Sequence, residues 1–268
     1  MTVKIYYKSR DQKRSINNLV LFTGEKFDLG NLDKKISKTE FLFLSDLLKT
    51  SDLKKDVLSF KINSKKTIFL VSLKKEIKIS DIENLGAKFY DFINLDKNYE
   101  YVLNQDTINS KINNFIGYFL HGLKLKSYQF NKYKSQKIKK VISISVIGNK
   151  NILSKKNYFR FKALEEGSFF TRDLVSEPGN ILHPDEYIKR IKKLKSFGLK
   201  ITILDKKRLK KLGMNALLGV GQGSKRGSYL AIIEWHGDSN KKNQPLAFVG
   251  KGVCFDTGGI SLKPAKFM

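Results

Sequence analysis

Short runs dense in Val, Ile, Phe and Tyr recur through the first half of this chain, separated by apolar residues at helical spacing. Val3–Tyr7 (VKIYY), Asn18–Thr23 (NLVLFT), Thr67–Leu73 (TIFLVSL) and Val141–Ile147 (VISISVI) are such runs. Branched and aromatic side chains suit a pleated, half-buried surface, so each is predicted to be a strand. Between them, Thr39–Thr50 (TEFLFLSDLLKT) and Ser110–Leu125 carry the helical period. Strands alternating with helices imply an α/β fold built on a sheet.

Gly148–Asn157 (GNKNILSKKN) is polar and rich in turn formers. A chain of 268 residues is long enough for two domains at roughly 100–200 residues each, and this stretch is the expected boundary. It divides the chain into residues 1–150 and 151–268.

Beyond it, Phe159–Val175 reads as a helix offering Phe161, Leu164, Phe169 and Leu174 to a buried face. Pro184 suits a first helical position, with Asp185 and Glu186 beside the positive helix end. That helix should run through Tyr187, Ile188, Ile191 and Leu194 to a stop at Gly198. Leu199–Leu204 then reads as a strand, and Asp205 as the cap of a short helix ending near Gly213. Tyr229–Trp235 (YLAIIEW) and Leu246–Gly250 (LAFVG) are two further strands, apolar enough to predict central positions covered on both faces.

The formal net charge of +27 comes from 52 Lys and Arg against 25 Asp and Glu. Such a surface attracts polyanions, nucleic acid among them. The lysines are scattered along the whole chain, however, and Lys, Ile, Asn and Phe are abundant together, as an AT-rich coding bias would produce. Cys254 is the single cysteine, so no intrachain disulfide can form. The first residues carry charges where a signal peptide needs apolar ones. No run approaches the ~18 apolar residues of a membrane helix. A cytoplasmic protein without membrane contact is expected.

The chemistry concentrates in VGKGVCFDTGGISLKPAKFM (Val249–Met268). It follows a predicted strand, and ligands gather where strands of open α/β sheets end. Its glycines permit positive φ and close backbone approach. Lys251 and Asp256 would share a small volume there, with Lys263 further along the same stretch. A phosphate loop is excluded, because Pro245 and Gly252 stand where Gly and Ser or Thr are needed. Gly219–Ser224 (GVGQGS) lacks the last glycine of a dinucleotide fingerprint. An aspartate can bridge two cations, a neutral amine can ligate one, and a charged lysine can stabilise an oxyanion. On spacing alone, the commoner outcome is two solvated lysines and an aspartate that caps a turn.

VGKGVCFDTGGISLKP closely resembles the signature of the leucyl (cytosol) aminopeptidase family, peptidase family M17. Gly122–Lys137 (GLKLKSYQFNKYKSQK), Thr171–Pro184 (TRDLVSEPGNILHP) and Gly213–Ser224 (GMNALLGVGQGS) are similar to further segments of that family, in the family's order. The resemblance implies a macro-like α/β N-terminal domain followed by the first part of an α/β metallopeptidase catalytic domain. It implies that Lys251 and Asp256 are metal ligands, with Asp256 bridging two divalent ions, Mn or Zn. Lys263 would be the catalytic electrophile in removing N-terminal residues, leucine-type, from peptides by a homohexamer. Thr257 stands where Ser is usual and keeps the hydroxyl. The family's further ligands and an arginine follow this motif, so the chain is expected to be a truncated fragment, inactive alone. The alternative from another class is a non-catalytic, basic DNA-binding or regulatory protein.

The remaining conspicuous residues have plainer expectations. His121, His183 and His236 follow no ligand spacing and are assigned to surface or loop roles, with His183 opening a helix. Cys254 reads as a small buried hydrophobe, Trp235 as core, and Glu165 with Glu166 as a helix surface. Tyr128, Phe130 and Tyr133 sit among lysines like a nucleic-acid patch, but the resemblance covers the same segment and favours a structural role.

Overall fold

A computed structural model describes residues 2–7, 17–95, 99–135, 141–150, 152–238, 240 and 243–267. Met268 and the last two residues of the Gly122–Lys137 segment lie outside the described residues. The chain divides into two compact units, Met1–Asp173 and Leu174–Met268. The polar stretch 148–157 lies ahead of that division, between the last strand of the first unit and a long helix.

The first unit is a mixed α/β layer structure. Its elements are β1 (Thr2–Tyr7), β2 (Asn18–Thr23), α1 (Lys38–Leu48), β3 (Val57–Lys61), β4 (Thr67–Ser72), α2 (Ile79–Asn94), β5 (Glu100–Asn104), α3 (Phe115–Lys126), β6 (Val141–Ile147) and α4 (Lys155–Ser176). The strands form one sheet in the order β1-β6-β5-β2-β4-β3. All neighbouring pairs are parallel except β3 with β4.

Strand β2 shows why the sheet is covered twice. Its residues alternate between faces, and all six are buried. Val20 and Phe22 join Phe69, Val71 and the helices α2 and α3 in one core. Leu19 and Leu21 join Ile68, Leu70 and Leu44 of α1 in the other. Burial on both faces turns alternation into a continuous apolar run. Strand β6 keeps Ile142, Ile144 and Val146 inside while its intervening residues stay partly open.

Helices α2 and α3 meet through glycines. A Cβ on Gly86 would lie 1.9 Å from the Phe119 carbonyl oxygen, and one on Gly122 would lie 1.9 Å from that of Glu83. Only hydrogen at both positions allows backbones this close. Edge-on ring contacts fill the layer beneath, with Phe22 at 5.7 Å from Phe115 and 5.2 Å from Phe119. Helix α1 opens on a capping box: the Glu40 N–H donates to Ser37 Oγ (3.2 Å), and the Ser37 N–H donates to Glu40 Oε2 (3.0 Å).

The second unit holds α5 (Pro184–Lys193), β7 (Lys200–Leu204), α6 (Lys206–Lys211), α7 (Asn215–Val220) and β8 (Leu230–Glu234). Its helix ends follow the sequence expectations. The Glu186 N–H donates to His183 Nδ1 (3.4 Å), Gly198 takes φ 82°, and the Arg208 N–H donates to Asp205 Oδ1 (3.0 Å). Ile188, Ile191 and Ile201 form its small core.

Several expectations are corrected here. Leu246–Gly250 is not a strand, and Phe248 and Val249 are 90% and 99% exposed. An apolar run becomes a strand only when a neighbour takes its hydrogen bonds, and no described segment pairs with this one. Among the described residues β8 pairs with β7 alone, antiparallel, and is half-exposed rather than central. Trp235 beyond it is exposed, not core. On α4, Phe161 is buried but Leu164 is exposed.

Candidate functional site

The glycine-rich stretch forms a closed turn. Gly258 and Gly259 take φ of 94° and 69°, which L side chains adopt only with strain. A Cβ on Gly258 would also meet the Ser261 carbonyl oxygen at 2.3 Å. These two residues reverse the chain, and the Lys263 N–H donates to the Thr257 carbonyl (2.8 Å) to close it.

Closure brings two of the three expected residues together. Lys263 Nζ stands 3.3 Å from Asp256 Oδ2 and donates to the Asp256 carbonyl at 3.1 Å. The Gly258 N–H donates to Asp256 Oδ1 at 2.7 Å. That backbone hydrogen bond, then the Lys263 hydrogen bond and charge, hold the Asp256 carboxyl below the usual aspartate range; the Lys251 charge adds a smaller push. Lys251 influences Asp256 through charge without entering an ion pair among the described residues.

The same contacts realise the turn-capping role open to Asp256, because Oδ1 accepts from the amide two residues on. Oδ2 carries an ionic partner. The donor types suit a hard or borderline divalent ion, one carboxylate and one amine. Their number does not suffice: among the described residues no three His, Cys, Asp or Glu side chains are grouped to hold a metal. The turn by itself is therefore an incomplete metal site.

Cys254 is half-buried, and burial pushes its thiol pKa up, as befits a packed thiol rather than a nucleophile. His236 is exposed beside Glu234. His121 is a correction: it lies within α3, 6% exposed, not on a surface or loop. Glu165 faces it at 3.8 Å and is itself half-buried, so only Glu166 of that pair fits a surface role. Tyr128 donates from its hydroxyl to Asp173 Oδ1 (2.7 Å) and its ring lies 5.3 Å from Phe169. Its segment therefore serves to pack α4. A further node escapes sequence reading, since Asp185 accepts from the Tyr229 hydroxyl (2.7 Å) and the Gly227 N–H (3.3 Å).

The glycine-built turn presenting Asp256 and Lys263 lies within a segment that matches a known family model. Residues 169–268 match the family model described as "Cytosol aminopeptidase family, catalytic domain". A probable cytosol aminopeptidase of Caulobacter vibrioides is 50% identical over 151 residues, 55% of this chain and 31% of that protein. One of Phytoplasma mali is 41% identical over 192 residues, 71% of this chain and 37% of that protein. In fold, the chain resembles the cytosol aminopeptidase of Coxiella burnetii, with TM-score 0.69 and 22% identity over 97% of this chain and 52% of that one. It also resembles a bottromycin maturation enzyme, BotP, solved in complex with Mn, with TM-score 0.67 and 17% identity over 94% of this chain and 51% of that one.

The chain is thus similar to cytosol aminopeptidases over the matched segments, the likeness that its motifs implied. It spans about a third of the length of these curated relatives and about half of the solved chains. No helix among the described residues is long and apolar enough to cross a membrane.

Proposed function

We propose that this chain is the front part of a metal-dependent, leucyl-type aminopeptidase acting on peptides in the cytosol. In it, Lys251 and Asp256 contribute to a centre for two divalent ions, and Lys263 is the catalytic electrophile. The observation that carries this is the turn Asp256–Lys263, which two positive-φ glycines fold so that a carboxylate and an ammonium face each other at 3.3 Å.

Bound divalent ions would supply Lewis acidity and a water acidified toward neutrality. The chain's own residues do the rest. Asp256 stays ionised because the Gly258 amide and Lys263 favour its charged form. If Asp256 held such an ion, its carboxylate would no longer be paired with the Lys263 ammonium. A freed, charged lysine on a fixed turn can donate to the oxyanion that forms as a peptide carbonyl is attacked. We also propose residues 1–150 as a separate macro-like domain and 151–268 as the start of the catalytic one.

The test joins residues 1–268 to the remaining length of the Caulobacter relative and follows leucine p-nitroanilide hydrolysis with Mn²⁺. Residues 1–268 alone should show no turnover, because two donors cannot hold two ions against water. In the joined protein, Asp256→Asn should cut turnover and Mn²⁺ affinity about 100-fold. Lys263→Ala should lower kcat about 100-fold or more without lowering Mn²⁺ affinity. Unchanged turnover in both variants would refute the assignment.

A further inference from the structure

Inside the first unit, a cavity of about 250 Å³ lies among β1, α3 and α4. Its size falls just below the usual range of ligand pockets, ~300 Å³ upward, so only a small molecule fits. Its shape depends on Gly117, where a Cβ would lie 2.3 Å from the Phe161 ring. The rings of Tyr7, Tyr158, Phe161 and Phe169 line it together with His121 and Glu165.

Two polar groups there are left with unfinished business. His121 is 6% exposed, and its Nδ1 is buried without a hydrogen-bond partner. Glu165, its side chain 16% exposed, has that nitrogen at 3.8 Å as its ion-pair neighbour. A gap of 3.8 Å is too long for a hydrogen bond. It is a span that one ammonium nitrogen can bridge, donating to both acceptors at about 2.9 Å each.

The other charges of the lining are committed. Lys124 Nζ donates to the Val3 carbonyl at 2.6 Å, and Lys162 pairs with the exposed Glu166 at 3.8 Å. The negative potential of Glu165 is felt locally. The Tyr7 phenol is pushed up to about 12, first by burial and then by Tyr158 and Glu165, although the residue keeps 42% of its surface open. A part-buried carboxylate with no full cationic partner, ringed by aromatic faces, suits an organic cation: the carboxylate offsets its charge and the rings attract it.

We infer that this cavity binds a small alkylammonium ion, its nitrogen between Glu165 and His121 and its short apolar tail against Phe161 and Phe169. The site is independent of the proposed peptidase centre and survives that proposal's failure.

The test titrates the intact chain with 3-methylbutylammonium chloride near neutral pH, following amide and His121 ring signals by NMR. Saturable shifts should cluster at Gly117, His121, Phe161 and Glu165. Glu165→Gln, which keeps shape and removes charge, should weaken binding about tenfold or more. The uncharged 3-methylbutanol should bind the native protein at least about tenfold less well. Lys162→Gln, which leaves both acceptors in place, should not weaken binding. Non-saturable shifts, equal affinity for the alcohol, or full affinity in Glu165→Gln would each overturn the inference, and would leave an ordered water as the group between the two acceptors.

Discussion

The sheet of the first unit and the stretch from Leu246 to Phe267 both carry large apolar side chains, with opposite fates. In the sheet, Val20, Leu21 and Phe22 are fully enclosed because helices lie on both sides. In the later stretch Phe248, Val249 and Ile260 are almost wholly exposed, and order is local, carried by glycine geometry and a carboxylate. Apolar residues build a core only where neighbouring elements bring a second surface. Elsewhere a chain can still be shaped by hydrogen bonds a few residues apart.

Three measurements bear on that contrast. The largest expected effect is at the helix crossing. Gly86→Val would drive a side chain into the Phe119 carbonyl and should cost more than about 4 kcal/mol in guanidinium denaturation, or prevent folding. Phe248→Ser in the exposed stretch should cost less than about 0.5 kcal/mol. Similar costs for the two would break the comparison. Next comes Phe119→Ala, which empties space beside Phe22 and Phe89 and should cost about 3–5 kcal/mol by the same method.

The smallest effect concerns acid sensitivity, through one carboxylate in each unit. Burial raises the Glu40 pKa, but the Lys66 hydrogen bond, with those of Ser37 and the Lys66 charge, outweighs it and leaves it lowered. Asp185 is lowered first by the Tyr229 hydroxyl, then by the Gly227 amide, His183 and Arg226. A carboxyl with a folded-state pKa below its unfolded one stabilises at pH above the unfolded value. That contribution is lost as pH falls through the folded value. Glu40→Gln and Tyr229→Phe should therefore both flatten the acid limb of stability against pH. The Glu40 change should be the larger, since its side chain is 15% exposed against 30% for Asp185. The reverse order would show that the second unit depends more on its charges than the first.

The strands β1, β2, β4 and β6, and helix ends such as His183, Gly198 and Asp205, were legible because their signals are local. β3 (VLSFK) and β5 (EYVLN) hold one β-branched residue each, against three in the equally short β7 (KITIL) and two in β8 (LAIIE), so their strand signal was weaker. In α2, Gly86 lowers helix propensity, and its reason for being there lies in α3. Leu246–Gly250 misled because apolar content reports a wish for burial, while a strand is a relation between two segments. At the candidate site, glycine spacing foretold a turn, but the expected neighbour of Asp256 was Lys251, whereas the turn brings Lys263 to it. His121 and Glu165 gave no such signal: they are 44 positions apart (165 − 121) and meet only because α3 and α4 pack.

The register between β1 and β6 carries a consequence for biosynthesis. Ile5 pairs with Ile144, across just over half the polypeptide. At ~5–20 residues per second, a ribosome needs on the order of ten seconds between making the two. During that interval the early ribbon carries free amides and carbonyls, open to a chaperone or to a neighbouring nascent copy.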